Sequence, residues 1–315
     1  MEAVRHTDNL RQLAHVLALH ECGDFGRAAE RLGITKSALS QSLQRMEDIY
    51  GVPLFVRGRR KIMVTVYGEI LVETARRTFR TFKETQRQID LLRNLDAGRL
   101  AIACDPLLAD SLLAPALLKI VAKYPRLEFN QRSGNWLAIQ EDFRRGDLDI
   151  FLGLRPDQPI EGFQFEELEL PPLKVYARPG HAIFLEPEPT LDDCWRYPIL
   201  AAPVPDWYIQ RIARGSSRDG HSLDDLRKFF LVSDSTSLIR DIICASDSIS
   251  ADFAASLGPE ISAGRLKILD IASRDLNETI PAVIITPLDR ALPPSAGSLA
   301  EAIKMTVAEF RREGT

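Results

Sequence analysis

The chain has few cysteines and none of the short motifs that mark common enzyme classes. Its 315 residues include four cysteines, without a CxxC pair or a neighbouring histidine at metal-ligand spacing. We expect free thiols, with a redox-sensing pair as the alternative. The motifs HExxH, GxSxG, GxGxxG and the P-loop are also missing. We therefore predict a protein that is not an enzyme, with no catalytic residues, metal or cofactor.

Long hydrophobic runs are missing as well. The richest stretch, LLAPALLKIVAKY, is interrupted by Lys119 and Lys123 and is too short to span a bilayer. The first residues, MEAVRHTDNL, are too polar for a signal peptide. We expect a cytoplasmic protein without a membrane partner. Its length favours two or three domains, and its 45% hydrophobic and 27% charged residues are ordinary for folded proteins.

The charge is distributed unevenly between the two parts of the chain. Residues 1–99 carry 17 Lys and Arg against 12 Asp and Glu, whereas residues 100–315 carry 23 against 32. The two parts should therefore bind different partners, and phosphate suits the basic part.

The stretch ITKSALSQSLQRME predicts a short helix with two distinct faces. Its core face on a helical wheel consists of Leu39, Leu43, Met46 and Tyr50. A separate arc, about 140° wide, holds only uncharged polar or cationic residues, namely Lys36, Ser37, Ser40, Gln41 and Gln44. Thr35 is a suitable N-cap, and a helix over FGRAAERL precedes the turn at Gly33. The pattern indicates a DNA-binding helix-turn-helix, or alternatively an αα-hairpin that only packs.

The following stretch, GVPLFVRGRRKIMVT, predicts a β-hairpin with a basic tip. The four cations are Arg57, Arg59, Arg60 and Lys61. They are suited to phosphate or minor-groove contacts, although the same run could be a solvated turn.

Together these residues resemble the N-terminal module of LysR-type transcriptional regulators. The resemblance lies in AAERLGITKSALSQSLQRMEDIYGVPLFVRGRR and VTVYGE. It implies a winged helix-turn-helix whose DNA contacts would come from Thr35, Lys36, Ser37, Ser40, Gln41, Gln44, Arg45, Arg57, Arg59 and Arg60. The chain departs from the family at Lys36-Ser37, Gln41 and Gly26, the last of which stands where the family often has a capping residue. Gln41 could contact adenine, and Lys36 could contact guanine or a phosphate.

Residues after Tyr67 predict one long helix. Apolar side chains recur at steps of three and four over Leu71, Ala75, Phe79, Phe82 and Ile89, and Gly98 suits its C-terminal end. Such a narrow stripe needs a partner helix. The resemblance implies a homodimer through this helix, assembly into a homotetramer, and RNA polymerase as a further partner.

Strand-like and helix-like runs alternate after Gly98, which predicts a mainly parallel α/β sheet. The resemblance implies two subdomains like those of periplasmic binding proteins, with a small-molecule effector between them. We predict a DNA-binding domain at 1–65, a linker helix at 66–96 and a regulatory domain at 97–315. Subdomain I would comprise 97–169 and 270–315, and subdomain II would comprise 170–269.

The effector cleft should lie where loops follow the strands. The candidate residues are Asp105, Pro106, Leu107, Leu108, Asn135, Trp136, Pro203, Trp207, Ser235 and Thr236. Structural roles compete with binding at several of them, because Asp105, Asn135 and Ser235 could simply cap helices and Trp136 could pack in the core. An aspartate in the first loop would repel a carboxylate, which argues against an anionic effector by default.

We therefore predict a DNA-binding transcriptional regulator that senses a small molecule. One alternative is a helix-turn-helix module fused to an enzyme domain. The other is a regulator whose α/β region serves only for oligomerisation.

Overall fold

The computed structural model describes residues 2–57, 62–93, 99–158, 161–214, 216–226, 229–271, 274–288 and 292–313. The chain forms two compact units, Met1–Ile89 and Asp90–Thr315. Within these described ranges, no helix is both long and apolar enough to cross a membrane. The four cysteines, all inside these ranges, are free thiols as predicted.

The first unit contains the predicted helix-turn-helix and hairpin. Its elements are α1 (Glu2–Cys22), α2 (Phe25–Leu32), α3 (Lys36–Tyr50), β1 (Phe55–Arg57), β2 (Ile62–Val64) and α4 (Val66–Arg93), the last of which continues past the unit's end. Local signals fix the ends of the short helices. The Thr35 hydroxyl accepts the Ala38 N–H at 3.2 Å, and Gly33 takes a left-handed φ of 66° between α2 and α3.

The cap of α2 is Asp24, whose carboxylate accepts the N–H groups of Gly26 and Arg27 at 2.8 and 3.0 Å. Gly26 therefore lies inside the helix. One expectation about α3 is wrong. Tyr50, which the wheel placed on the core face, is 54% exposed because α3 ends there and Gly51 turns the chain away.

The core of this unit lies between α1, α2, α3 and the start of α4. Leu39, Leu43 and Met46 are buried as predicted, against Ala28 and Ala29 of α2 among others. We call the antiparallel hairpin of β1 and β2 the wing. Glu47 of α3 anchors the wing, because its Oε1 accepts the N–H groups of Leu54 and Phe55 at 2.7 and 3.3 Å.

Helix α4 has the predicted apolar stripe, but only its first part is covered within the unit. Leu71 and Ala75 are buried, whereas Phe82 and Ile89 are 56% and 43% exposed. The stripe thus continues beyond the residues that the first unit can bury. Its predicted end at Gly98 lies outside the described residues.

The second unit alternates strands and helices. Its first elements are β3 (Arg99–Cys104), α5 (Pro106–Leu108), a π-helical turn (Ala109–Leu113), α6 (Ala114–Lys123), β4 (Glu128–Ser133), α7 (Trp136–Arg144), β5 (Ile150–Leu154) and β6 (Phe163–Leu170). The middle elements are β7 (Lys174–Ala177), a 3₁₀ turn (Ala182–Leu185), α8 (Leu191–Cys194), β8 (Leu200–Ala201), α9 (Asp206–Ala213), α10 (Leu223–Leu226), β9 (Leu231–Val232), α11 (Thr236–Ala245), β10 (Ser250–Asp252), α12 (Ala254–Ser262), β11 (Lys267–Ile268) and α13 (Arg274–Asn277). The last two are β12 (Ile280–Pro287) and α14 (Pro294–Glu313).

These strands form a large mixed sheet and two smaller sheets, so the prediction of a mainly parallel sheet was wrong in part. The large sheet has the order β4-β3-β5-β12-β6, in which β3 is parallel to β4 and β5 but β12 is antiparallel to β5 and β6. The smaller sheets are the antiparallel β10-β7-β11 and the parallel pair β8-β9. We call the large sheet with its helices the first lobe and the elements from β7 to α13 the second lobe. Leu170 and Ile280, where the chain leaves and re-enters the large sheet, are register partners.

Candidate functional site

The polar arc of α3 lies on the surface of the first unit. Lys36, Ser37, Ser40, Gln41, Gln44 and Arg45 are all exposed. Gln44 donates to Asp48 at 3.0 Å, and the hydroxyls of Thr35 and Ser37 lie 3.0 Å apart. The other candidates of the arc thus present side-chain donors to solvent, as the helical wheel predicted.

The basic tip of the wing lies mostly outside the described residues. Arg57 ends β1, and Arg59 and Arg60 lie outside the described residues. Their proposed contacts with phosphate or the minor groove therefore remain predictions.

A histidine lies behind the polar arc, between α1 and α3. His15 is buried, and its Nδ1 lies 2.7 Å from the Ser42 hydroxyl. Burial, and then the neighbouring charge of Arg11, lower the pKa of His15 from 6.5. The folded state therefore disfavours the charged imidazole at this position.

This histidine should make the first unit less stable in acid. Because the pKa of His15 is lowered on folding, the unfolded chain binds more protons, and the free energy of unfolding should fall as the pH drops below 6.5. Urea unfolding between pH 7.5 and 5.5 measures this slope, and His15→Gln should reduce it. Equal slopes in the two proteins would contradict the assignment.

The second unit has a cavity of about 470 Å³ where residues of both lobes meet. Its lining from the first lobe is Asp105, Asn135, Trp136, Leu137, Gln140, Leu154, Pro156, Asp157 and Gln158, and from the second lobe Val204, Pro205 and Asp206. Among the candidates predicted from sequence, it brings together Asp105, Asn135 and Trp136. Pro203 was predicted in place of its neighbours Val204 and Pro205, which belong to the same loop.

Asp105 is a buried acid rather than a helix cap. Its side chain makes no capping hydrogen bond, because the carboxylate points instead to the end of β5. Its Oδ2 accepts the Leu154 N–H at 2.6 Å, while no described residue bonds to Oδ1. Gly153 leaves room for this contact, since a Cβ there would lie 2.6 Å from Oδ2. Burial raises the pKa of Asp105 to about 8.

Trp136 and Asn135 begin α7 on the same side of the cavity. Asn135 caps the helix by accepting the Ala138 N–H at 3.1 Å, one of the two roles foreseen for it. The Trp136 ring packs against Phe151 and Phe163 with centroids 5.6 and 5.1 Å apart. Its indole N–H is buried without a hydrogen-bond partner among the described residues. Two residues of the cavity wall, Trp136 and Asp105, thus each have a buried polar atom without a partner among the described residues.

The other candidates do not line this cavity. Pro106, Leu107 and Leu108 are buried, the last two in the core of the first lobe, and none of the three lines this cavity. Trp207 donates from its indole to the Arg155 carbonyl at 2.7 Å and lines a smaller adjacent cavity of about 340 Å³. Sequence patterns did not single out Asp157 or Asp206, which only the approach of the lobes brings to the cavity.

Ser235 and Thr236 belong to a contact between the lobes rather than to the cavity. Ser235 caps α11 by accepting the Leu238 N–H at 3.2 Å. The Asp110 carboxylate of the first lobe accepts the Thr236 hydroxyl at 3.2 Å and the Arg240 guanidinium at 2.9 Å. These hydrogen bonds connect the lobes at a second place.

Both candidate sites, the polar arc of α3 and the cavity between the lobes, offer surfaces suited to binding. Among the described residues, no three His, Cys, Asp or Glu side chains are grouped so that they could hold a metal ion. The first unit exposes donors on a helix, and the second encloses a polar and apolar cavity between two lobes. Such a cavity has the size and mixed lining of a small-molecule site.

Comparisons with known proteins match both units. The model of the bacterial regulatory helix-turn-helix protein, lysR family, matches residues 10–69, and that of the LysR substrate binding domain matches residues 93–308. The SDS degradation transcriptional activation protein of Pseudomonas sp. is 26% identical over 303 residues, which cover 93% of this chain and 94% of that protein.

Solved structures share the fold at lower identity. A full-length OxyR variant from Pseudomonas aeruginosa has a TM-score of 0.60 and 18% identity, covering 94% of both chains. CbnR complexed with its target DNA has a TM-score of 0.58 and 17% identity, covering 94% of this chain and 99% of CbnR.

Proposed function

The chain belongs to the LysR family of DNA-binding transcriptional regulators with an effector-binding domain, and from that premise we propose a site for each activity. The polar arc of α3 enters the major groove of its operator. The cavity between the lobes binds the effector. The observation that carries the proposal is an exposed arc of donors on the second helix of a helix-turn-helix, flanked by a wing.

The arc suits base edges because its side chains are polar and none is acidic. Gln41 can pair with N6 and N7 of adenine, and Lys36 can donate to guanine or a phosphate. Thr35, Ser37, Ser40, Gln44 and Arg45 complete the helix surface, and Arg57, Arg59 and Arg60 of the wing contact the backbone or minor groove. The protein acts in the cytoplasm as a regulator rather than an enzyme.

Assembly follows from the stripe of α4. Phe82 and Ile89 are exposed on a helix whose first turns are buried in the first unit. Pairing of this helix with a second copy covers the stripe and places two α3 helices on a two-fold operator. Two such dimers form the tetramer, and RNA polymerase is a further partner. Effector binding shifts the population between assembled states.

DNA binding by two single variants tests this surface. With the promoter region beside the protein's own gene, Lys36→Ala should weaken binding to every sequence and reduce the salt slope by about one. Gln41→Ala should lose about 1–3 kcal/mol of discrimination at one base pair, a roughly 5- to 150-fold change in preference. Affinities measured by fluorescence anisotropy at several salt concentrations provide both quantities.

The exposed helical Gln210 of the second unit provides the matched control. Gln210→Ala should bind DNA with the affinity and base preference of the wild type. If Lys36→Ala and Gln41→Ala also bind like the wild type, the polar arc of α3 does not contact DNA.

A further inference from the structure

The charges around the inter-lobe cavity all have one sign. Its lining includes the carboxyl groups of Asp105, Asp157 and Asp206, and the described lining residues include no Lys, Arg or His. The rest of the wall is apolar or carries neutral amides. An anionic ligand here would meet the acidic groups of Asp157 and Asp206, and no cation of the described lining would compensate for them.

These three carboxyl groups are not equivalent. Asp157 accepts the Trp207 backbone N–H at 3.2 Å, and Asp206 begins α9 at the rim. Asp105 is only 3% exposed, and its Oδ1 has no hydrogen-bond partner among the described residues. A buried polar atom left without a partner is costly. Oδ1 therefore has unused hydrogen-bonding capacity at the wall of the cavity.

The apolar part of the wall limits the ligand further. Trp136, Leu154 and Val204 line the same cavity as Asp105, and the volume of about 470 Å³ is that of a small organic molecule. A bare metal ion would leave these apolar surfaces uncovered, and it would find too few oxygen ligands at one point. A compact apolar body with one cationic end matches both parts of the wall.

We propose that the cavity binds a protonated amine with an apolar body, whose ammonium N–H donates to Asp105 Oδ1. The inference rests on the proposed function of the cavity as the effector site and narrows the effector to one chemical class. The pair would be a buried, charge-assisted hydrogen bond, the strong type in proteins.

This pairing has a proton balance that a neutral or anionic ligand would not have. Burial raises the pKa of Asp105 to about 8, so its carboxyl group is mostly protonated at pH 7. Binding the ammonium ion requires the ionised carboxylate, and one proton passes from Asp105 to solvent for each amine bound. Affinity should therefore rise about tenfold per pH unit up to about pH 8 and level off above it.

Matched pairs of small ligands test the class. We would use benzylamine, phenethylamine and cyclohexylmethylamine, each beside the carboxylate with the same apolar body, with the full chain in thermal-shift assays and titration calorimetry. At least one amine is expected to raise the melting temperature at pH 8, and the carboxylates to leave it unchanged. For that amine, Kd should fall about tenfold between pH 6 and 7. Binding should release one proton, which is counted by comparing the calorimetric binding enthalpy in buffers of different ionisation heat.

Asp105→Asn keeps an oxygen for the Leu154 N–H but removes the charge. This variant should bind the amine at least tenfold more weakly and without the pH dependence. Asp219→Asn, at an exposed turn of the second lobe, should bind like the wild type. Unchanged amine binding by Asp105→Asn, pH-independent affinity, or no binding by any amine would overturn the proposal.

The failure of this inference can be told apart from failure of the proposed function. If carboxylates bind and change the affinity of the same protein for its promoter DNA, the cavity is an effector site and only the cationic class is wrong. If amines bind at Asp105 without changing affinity or arrangement on DNA, the ligand class holds and the effector role fails.

Discussion

Replacing Gly68 by alanine is expected to destabilise the first unit by about 3 kcal/mol or more and to abolish DNA binding near 37 °C. Gly68 lies in the first turn of α4, where the helix passes the wing. An alanine Cβ would lie 2.2 Å from the Leu54 carbonyl oxygen and 2.6 Å from Cγ2 of Val64. A backbone carbonyl cannot rotate away as a side chain can, so α4 must move from the wing. Urea unfolding of the full chain measures the loss.

Gly297 in α14 provides the control for this change. It is also a helical glycine, but an added Cβ would meet no atom within 4 Å. Gly297→Ala should stabilise the second unit by about 0.5–1 kcal/mol, because alanine loses less backbone entropy in a helix. If Gly68→Ala were as harmless as Gly297→Ala, the close packing of α4 on the wing would be wrong.

Asp105→Asn is expected to stabilise the second unit at neutral pH although it should weaken binding of the proposed amine ligand. Folding raises the pKa of Asp105 from 3.8 to about 8, so the wild type loses stability as the pH rises between these values. At pH 7 that loss is about 4 kcal/mol, at 1.36 kcal/mol per pH unit. The new amide lacks an acceptor, which costs about 1–3 kcal/mol. The net gain should be about 1–3 kcal/mol, or several degrees of melting temperature.

The pH dependence of this gain distinguishes it from ordinary repacking. The gain should be largest above pH 7 and should vanish or reverse near pH 4.5, which lies less than one pH unit above the unfolded-state pKa of 3.8, so that the wild type has lost only about 1 kcal/mol there. Calorimetric melting of both proteins at pH 4.5, 6 and 7.5 provides the comparison, with Asp219→Asn as a surface control. An equal difference at all three pH values would mean that Asp105 is not a buried acid with a raised pKa.

The features predicted from sequence are those that neighbouring residues determine. Thr35 caps α3 and Gly33 makes the turn before it, and both effects arise within a few residues of the chain. Tyr50 shows the limit of the same reasoning, because a helical wheel does not show where the helix ends. The polar arc of α3 was therefore predictable as a surface, whereas its contacts depend on the operator.

Features that depend on distant residues could not be predicted in the same way. Asp105 looks like a helix cap in its local sequence. Its carboxylate instead accepts the N–H of Leu154, 49 residues later, and a contact at that separation is not visible in the local pattern. The strand β6, in FQFEELEL, was missed because its acidic residues hide the alternation of buried and exposed side chains. The antiparallel β12 returns from the second lobe, and its direction follows from that path rather than from its composition.

The pairing of Leu170 with Ile280 has a mechanical consequence. The chain connects the second lobe to the first at two neighbouring points, which together form a hinge. A rotation of the second lobe about the line through these points would leave the pairing of β6 with β12 intact. The contacts of Asp110 with Thr236 and Arg240 join residues of opposite lobes, so such a swing must break them. These contacts therefore oppose the rotation, and added salt should weaken them by screening the ion pair of Asp110 and Arg240.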